Sequence, residues 1–220
     1  MQRCAAAFVV AREVEADTLR AVSTPPMSRN PTEDAILEAA RAALLEDGFD
    51  KLTMDAIARR AYMSRTAVYF YFSNKRAVVD RLIQTAFADM YQAASAYLEG
   101  DGDPRVELHV ALQQTVDVVN REQDVLLLAA ALSGAGDQLP PEWASYILRF
   151  VNGAAARIAR DQEAGLAPDD IPPRICAQAL LSMVERHVVR ELILGRGNAD
   201  ESIRALAELW WRAVYGLAAG

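Results

Sequence analysis

Two helix-start signals, Thr53 and Ser64, stand only eleven residues apart in this chain, and just Tyr62-Met63 lies between the helices they open. A Thr or Ser before an apolar-periodic run accepts a hydrogen bond from a free N–H of the first turn, so each marks a helix N-terminus. The spacing predicts one short helix from Met54 to about Ala61 and another from Ser64 to near Phe72. A longer helix precedes them. Asn30 suits the N-cap, Pro31 the first helical position and Glu33 the third, as in a capping box, while Gly48 ends it. Its Ile36, Ala39, Ala40, Ala43 and Leu44 repeat at the interval of a one-sided buried face. Three helices with a two-residue turn between the last two describe a helix-turn-helix inside a three-helix unit.

The rest of the chain is helical punctuation of the same kind. Asn74 or Ser73 caps a fourth helix that continues to Leu98 and breaks at Gly100-Asp101-Gly102-Asp103-Pro104. Further helices are expected at about 104–120, 123–133, 141–164, 173–194 and 200–217, separated by Gly134-Ala135-Gly136, Gly165 to Pro173 and Gly195-Arg196-Gly197-Asn198. The expected fold is all-α, about nine helices: a tail over 1–27, a helix-turn-helix domain over 28–76 and a larger helical body over 77–220. Met27, after Ser-Thr-Pro-Pro, reads as the natural start. No fixed-period repeat is visible. The longest uncharged apolar run, Val125 to Leu132, is eight residues, so no membrane span is expected. Cys4 and Cys176 form no metal-ligand spacing, and a reducing cytoplasm suits them.

Charge points to a partner for the short module. The whole chain carries −7, which alone argues against a polyanion ligand. Residues 51 to 81, however, hold seven Lys and Arg (Lys51, Arg59, Arg60, Arg65, Lys75, Arg76, Arg81) against Asp55 and Asp80, a local +5. Residues 86 to 220 carry −8. A basic module ahead of an acidic body is the arrangement of a nucleic-acid binder. Ser64 places Arg65 and Thr66 in the first turn of a recognition helix, where Arg can pair with guanine and the Thr methyl can touch thymine. Thr53 opens a helix whose free N–H groups suit a phosphate. Tyr69 and Tyr71 carry hydroxyls for phosphate oxygens. Lys75 sits in a first turn, against the helix dipole, and is expected to find an anion there. Val68 and Phe72 are expected to close the small core, and Phe70 to pack as well.

The run from Thr53 to Lys75 resembles the DNA-binding signature of the TetR family of one-component regulators. The match falls at Thr53, Ile57, Ala58, Ala61, Met63, Ser64, Val68, Tyr69, Tyr71, Phe72 and Lys75. It departs at Tyr62, where that family has Gly, and a side chain there is strained if φ is positive. The resemblance implies a homodimer on double-stranded palindromic operator DNA, pairing through its last two helices, with a body that takes a small molecule. Leu180, Met183, His187, Ile193, Ile203, Leu206, Trp210 and Tyr215 suit either that pairing or the monomer core.

Met183-Val184-Glu185-Arg186, Leu209-Trp210-Trp211, Tyr215-Gly216, Glu142-Trp143 and Tyr69-Phe70-Tyr71-Phe72 are similar to the EthR-like branch of the family. That resemblance implies a tunnel for an apolar effector, lined near His109, Leu112, Val116, Trp143, Ile147, Phe150, Leu181, Val184 and Trp210. Leu181 and Val184 stand where the branch has Asn, which removes two amides that would orient a ligand. From the residues alone, His109 and His187 read as structural.

Catalysis is not expected. The sequence holds no Glu-x-x-His pair, zinc-helix motif, nucleophile elbow, Walker loop or Rossmann glycines. No metal or cofactor is called for. The expected function is therefore a sequence-specific repressor released by a small apolar effector. The alternatives are an activator, or a ligand-binding helical protein without DNA binding.

Overall fold

The computed structural model describes residues 30–132, 141–193 and 197–216, with side chains given outside 130–144 and 192–193. The expected tail and the Gly134-Ala135-Gly136 break lie outside the described residues. Those that are described form nine α-helices and no strand. They are α1 (Pro31–Lys51), α2 (Met54–Arg60), α3 (Arg65–Tyr71), α4 (Lys75–Leu98), α5 (Pro104–Arg121), α6 (Gln123–Leu132), α7 (Pro141–Glu163), α8 (Pro173–His187) and α9 (Ala199–Tyr215).

Two compact units divide the chain, and the division falls inside α4, between Leu82 and Ile83. The first two turns of α4 account for this. Val78, Val79 and Leu82 are buried there, and Arg81 Nε donates to Glu33 Oε1 of α1 at 2.6 Å.

In the first unit the caps behave as the sequence requires. Asn30 Oδ1 accepts from Thr32 N at 3.0 Å, Thr53 Oγ1 from Ala56 N at 3.1 Å, Ser64 Oγ from Ala67 N at 3.1 Å and Asn74 Oδ1 from Ala77 N at 2.9 Å. Asn74, rather than Ser73, is therefore the cap of α4. Glu33 does not complete a capping box, because its carboxylate is taken by Arg81 across the unit. Gly48, at φ 77°, kinks α1 three residues before its end. Ile36, Ala40, Leu52, Ile57 and Val68 are almost wholly buried and form the small core, with Phe72 at its edge.

In the second unit α7 packs along α8, and α5 along α9. Tyr97, Leu112, Val116, Ala154, Ile158, Ala177, Leu180, Ile203, Leu206, Trp210 and Val214 share one buried cluster. Leu180, Ile203, Leu206 and Trp210 thus belong to the monomer core. The expected single helix over 173–194 changes at His187 into a π-helical turn, Val188–Ile193. There His187 Nε2 bonds Ser202 Oγ at 2.8 Å, and Gly197 N donates back to Glu191 O at 2.8 Å. These two bonds turn the chain toward α9.

A buried polar chain runs through this core. Arg157, 1% exposed, donates from Nε to Asp161 Oδ2 at 2.8 Å and from Nη1 to Glu107 and the carbonyls of Tyr97 and Gly100 at 3.0 Å. Its Nη2 reaches Gly102 O at 3.3 Å. Trp210 Nε1 donates to Tyr97 Oη at 3.1 Å, Tyr97 to Tyr215 at 3.0 Å, and Tyr215 to Asp161 Oδ2 at 2.6 Å. Burial pushes the Tyr215 hydroxyl far above the usual phenol range, so it stays a donor. Gly100 is needed for this packing, since a Cβ there would lie 2.2 Å from Ala96 O and 2.4 Å from the Glu107 carboxylate.

Candidate nucleic-acid interface

The turn between α2 and α3 is a Schellman closure. Met63 N donates to Ala58 O at 2.9 Å and Tyr62 N to Arg59 O at 3.3 Å, which satisfies the last carbonyls of α2. Such a closure needs one residue in the left-handed region, and here it is Tyr62 at φ 55°. Tyr62 is 97% exposed, so its ring packs on nothing that would offset the strain.

This closure and the Ser64 cap set the direction of α3. Arg65, Thr66 and Tyr69 are exposed, while Val68 on the opposite side is fully buried. The recognition helix thus shows its first turn to solvent and its middle to the core. Phe70 does not pack as expected. It is 84% exposed, because Val68 and Phe72 already fill the inward positions of a seven-residue helix. Phe70 instead stands edge-on to the half-buried Tyr71 at 5.3 Å between ring centres.

Arg65 is held at both ends of its guanidinium. Nη1 lies 3.3 Å from Asp55 Oδ2 of α2, and Nη2 lies 3.5 Å from Tyr69 Oη, with the Tyr69 ring 5.3 Å from Cζ. The Tyr69 hydroxyl and the Asp55 charge hold it protonated more firmly than a free arginine. Lys75 also has protein partners. Its Nζ donates to Phe49 O at 3.0 Å and Asp50 O at 3.3 Å, over the Phe49 ring. The carbonyl end of α1 therefore supplies the negative potential that the sequence argument sought in a phosphate. An ammonium has three donors, so one is left over.

The local +5 of residues 51 to 81 is smaller in space than in sequence. Arg60 pairs with Glu46, Arg81 with Glu33, Arg76 with Asp80 at 2.8 Å and Arg65 with Asp55. Glu33 and Glu46 come from α1, outside the counted window. Among the described residues Lys51 and Arg59 are exposed with no carboxylate partner. Arg59, expected only as one of the basic cluster, and Phe70, expected in the core, are exposed side chains beside the turn and on α3. Arg59 was legible as a polar position of α2, whereas the exposure of Phe70 was hidden by its apolar character.

The positions expected to line a tunnel in the body separate into groups. Leu112, Val116 and Trp210 lie in the buried cluster, and Phe150, Leu181 and Val184 pack against it, half-buried. Ile147 is half-buried on α7. His109 does not join them: its side chain is exposed on α5. The Trp143 side chain lies outside the described residues. Tyr91 and Phe150 meet edge-on at 5.3 Å, and Phe87 stacks on Tyr146 at 5.2 Å, so α4 and α7 are joined by rings that the sequence reading passed over. An open, partly polar cleft between α4 and α5, lined by Gln92, Ser95, Gln114, Asp117 and Arg121 among others, includes none of the expected tunnel residues.

The family described as bacterial regulatory proteins, tetR family, matches residues 36–82, and the C-terminal domain of transcriptional regulator EthR matches residues 108–216. The EthR transcriptional regulator of Mycolicibacterium smegmatis is 27% identical over 195 residues, covering 86% of this chain and 88% of that protein. A solved TetR-family regulator from Mesorhizobium loti MAFF303099 superposes with a TM-score of 0.67 at 22% identity, over 84% of this chain and 96% of its own. A complex of SmeT with triclosan superposes with a TM-score of 0.67 at 19% identity, over 84% and 92%. Proteins of this kind are regulators rather than enzymes. The chain belongs to the TetR family of helix-turn-helix, DNA-binding transcriptional regulators, with a body of the EthR type.

Proposed function

We propose that the protein is a cytoplasmic, homodimeric repressor that holds a palindromic operator and releases it when a small, largely apolar effector enters its body. One observation carries the reading: α3 is capped and turned so that Arg65 and Thr66 stand exposed in its first turn. That is the part of a recognition helix that meets base edges in the major groove. Arg65 reads guanine and the Thr66 methyl touches thymine. Thr53, Ser64, Tyr69, Tyr71 and the third donor of Lys75 hold phosphates and fix the register.

Pairing through α8 and α9 is supported by Ile175 and Leu209, exposed at 58% and 51% on those helices. A two-fold dimer matches a two-fold operator. The effector reading rests on Phe150, Leu181 and Val184, half-buried apolar side chains at the edge of the core cluster. The triclosan complex of a protein of the same fold lends it weight. An effector shifts the protein only by its differential affinity for the DNA-competent and released states. Release requires that the liganded dimer hold its recognition helices away from the spacing of successive major grooves, about 34–36 Å.

The test is a preformed complex with labelled operator, titrated with triclosan, dodecanol and decanoic acid and followed by anisotropy. Release by at least one of them, blocked in a Leu181→Trp variant that still binds DNA, is the expected result. Tight binding of these compounds in calorimetry with no change in DNA affinity would contradict an effector-released repressor.

A further inference from the structure

We propose that Asp55 is a specificity-determining positioning residue, holding Arg65 in the one pose from which it meets a base edge rather than a phosphate. The inference rests on the reading of Arg65 as a base contact.

Three observations lead to it. The guanidinium is gripped from two helices, by Asp55 of α2 at 3.3 Å and by Tyr69 of α3 at 3.5 Å. The pair is open to solvent, with side-chain exposures of 63% for Arg65 and 58% for Asp55. Ion pairs so exposed contribute little to folding, so stability does not account for this one. Finally, a carboxylate beside the exposed first turn of a recognition helix opposes the phosphates that supply most DNA affinity. Its presence there lowers affinity for DNA in general.

The chemistry is that of a forked cation with more donors than two partners can use. Arg65 presents five N–H groups in one plane, and the two contacts occupy only part of that fork. A guanine, with O6 and N7 side by side, accepts from the remaining donors while the Asp55 contact stays in place. A phosphate brought to the same donors sets its negative charge beside the Asp55 carboxylate, whereas a neutral base edge does not, so the pair favours guanine. Asp55 also faces the positive end of the α2 dipole, but that is a matter of stability and not of sequence preference.

The experiment uses the full-length protein, a site obtained by selection from random duplexes, the same site with its contacted guanine replaced, and a scrambled duplex. In the Asp55→Asn variant, discrimination between the site and its guanine-replaced form is expected to fall about tenfold. Affinity for scrambled DNA is expected to rise about threefold, and the salt dependence to steepen by about one phosphate contact, a slope change near 0.9. In an Arg65→Ala background, Asp55→Asn is expected to leave discrimination unchanged. Unaltered discrimination in the single variant, or an equal loss with and without Arg65, would overturn the assignment alone. A wild-type protein that shows no preference for any selected site would overturn both this assignment and the reading beneath it.

Discussion

At the residue scale the turn and its neighbours decide the module. A Schellman closure asks for φ near +60°, which glycine adopts freely and a bulky residue only at a cost of about 1–2 kcal/mol. Tyr62 occupies it at φ 55° with its ring almost fully in solvent. Tyr62→Gly is therefore expected to stabilise the protein by about 1 kcal/mol, after allowing for the chain entropy of glycine. Urea unfolding checks the sign, and a loss of stability would mean that the ring has a partner in solution. The departure was visible in the sequence, and so was its condition. Whether φ is positive depends on the pair of bonds from Met63 and Tyr62 back to α2, which no residue type announces. Lys75 shows the same limit. Its charge and position were legible, but its partners are two main-chain carbonyls of Phe49 and Asp50, and carbonyls exist at every position.

At the element scale, caps made the helix starts readable. Asn30, Thr53, Ser64 and Asn74 all accept first-turn N–H bonds, because a helix start needs a side chain of few types at a fixed offset. Long-range charge pairing was not readable. Glu33 looked like a capping-box acid and is the partner of Arg81 instead. Gly100 and Gly102 read only as a helix break, yet their carbonyls cradle Arg157. That arginine ties the end of α4, the following loop and α5 to α7, and through Asp161 and Tyr215 to α9. Removing one partner of a buried charged network leaves the others unpaired, and Asp161 is 5% exposed. Arg157→Met is expected to cost about 3–5 kcal/mol in the stability of the body. The measurement is the urea midpoint of the full chain, and a cost below about 1 kcal/mol would show that water replaces the arginine.

At the scale of the whole molecule, a small module and a larger body were expected from the helix pattern and the charge asymmetry, and the structure divides the chain inside one continuous helix, α4. Ion pairs with α1 consume much of the positive charge that suggested a polyanion partner, so specificity falls more heavily on the first turn of α3 and less on bulk electrostatics. The apolar residues of the body were legible as a set but not by role. Leu180, Ile203, Leu206 and Trp210 are monomer core, whereas Ile175 and Leu209 of the same two helices are exposed, a distinction set by helix rotation. Recognition of a particular DNA sequence by a small module of an acidic chain is what the proposed function turns on. Its most direct test is anisotropy of the full-length protein on the selected duplex and its scrambled form, each at 50 and at 200 mM salt, conditions chosen to span the counterion effect. The expected result is two protomers per duplex, a preference for the selected site of about 10³-fold or more, and weaker binding at the higher salt. Equal affinity for the two duplexes at both salt concentrations would contradict it.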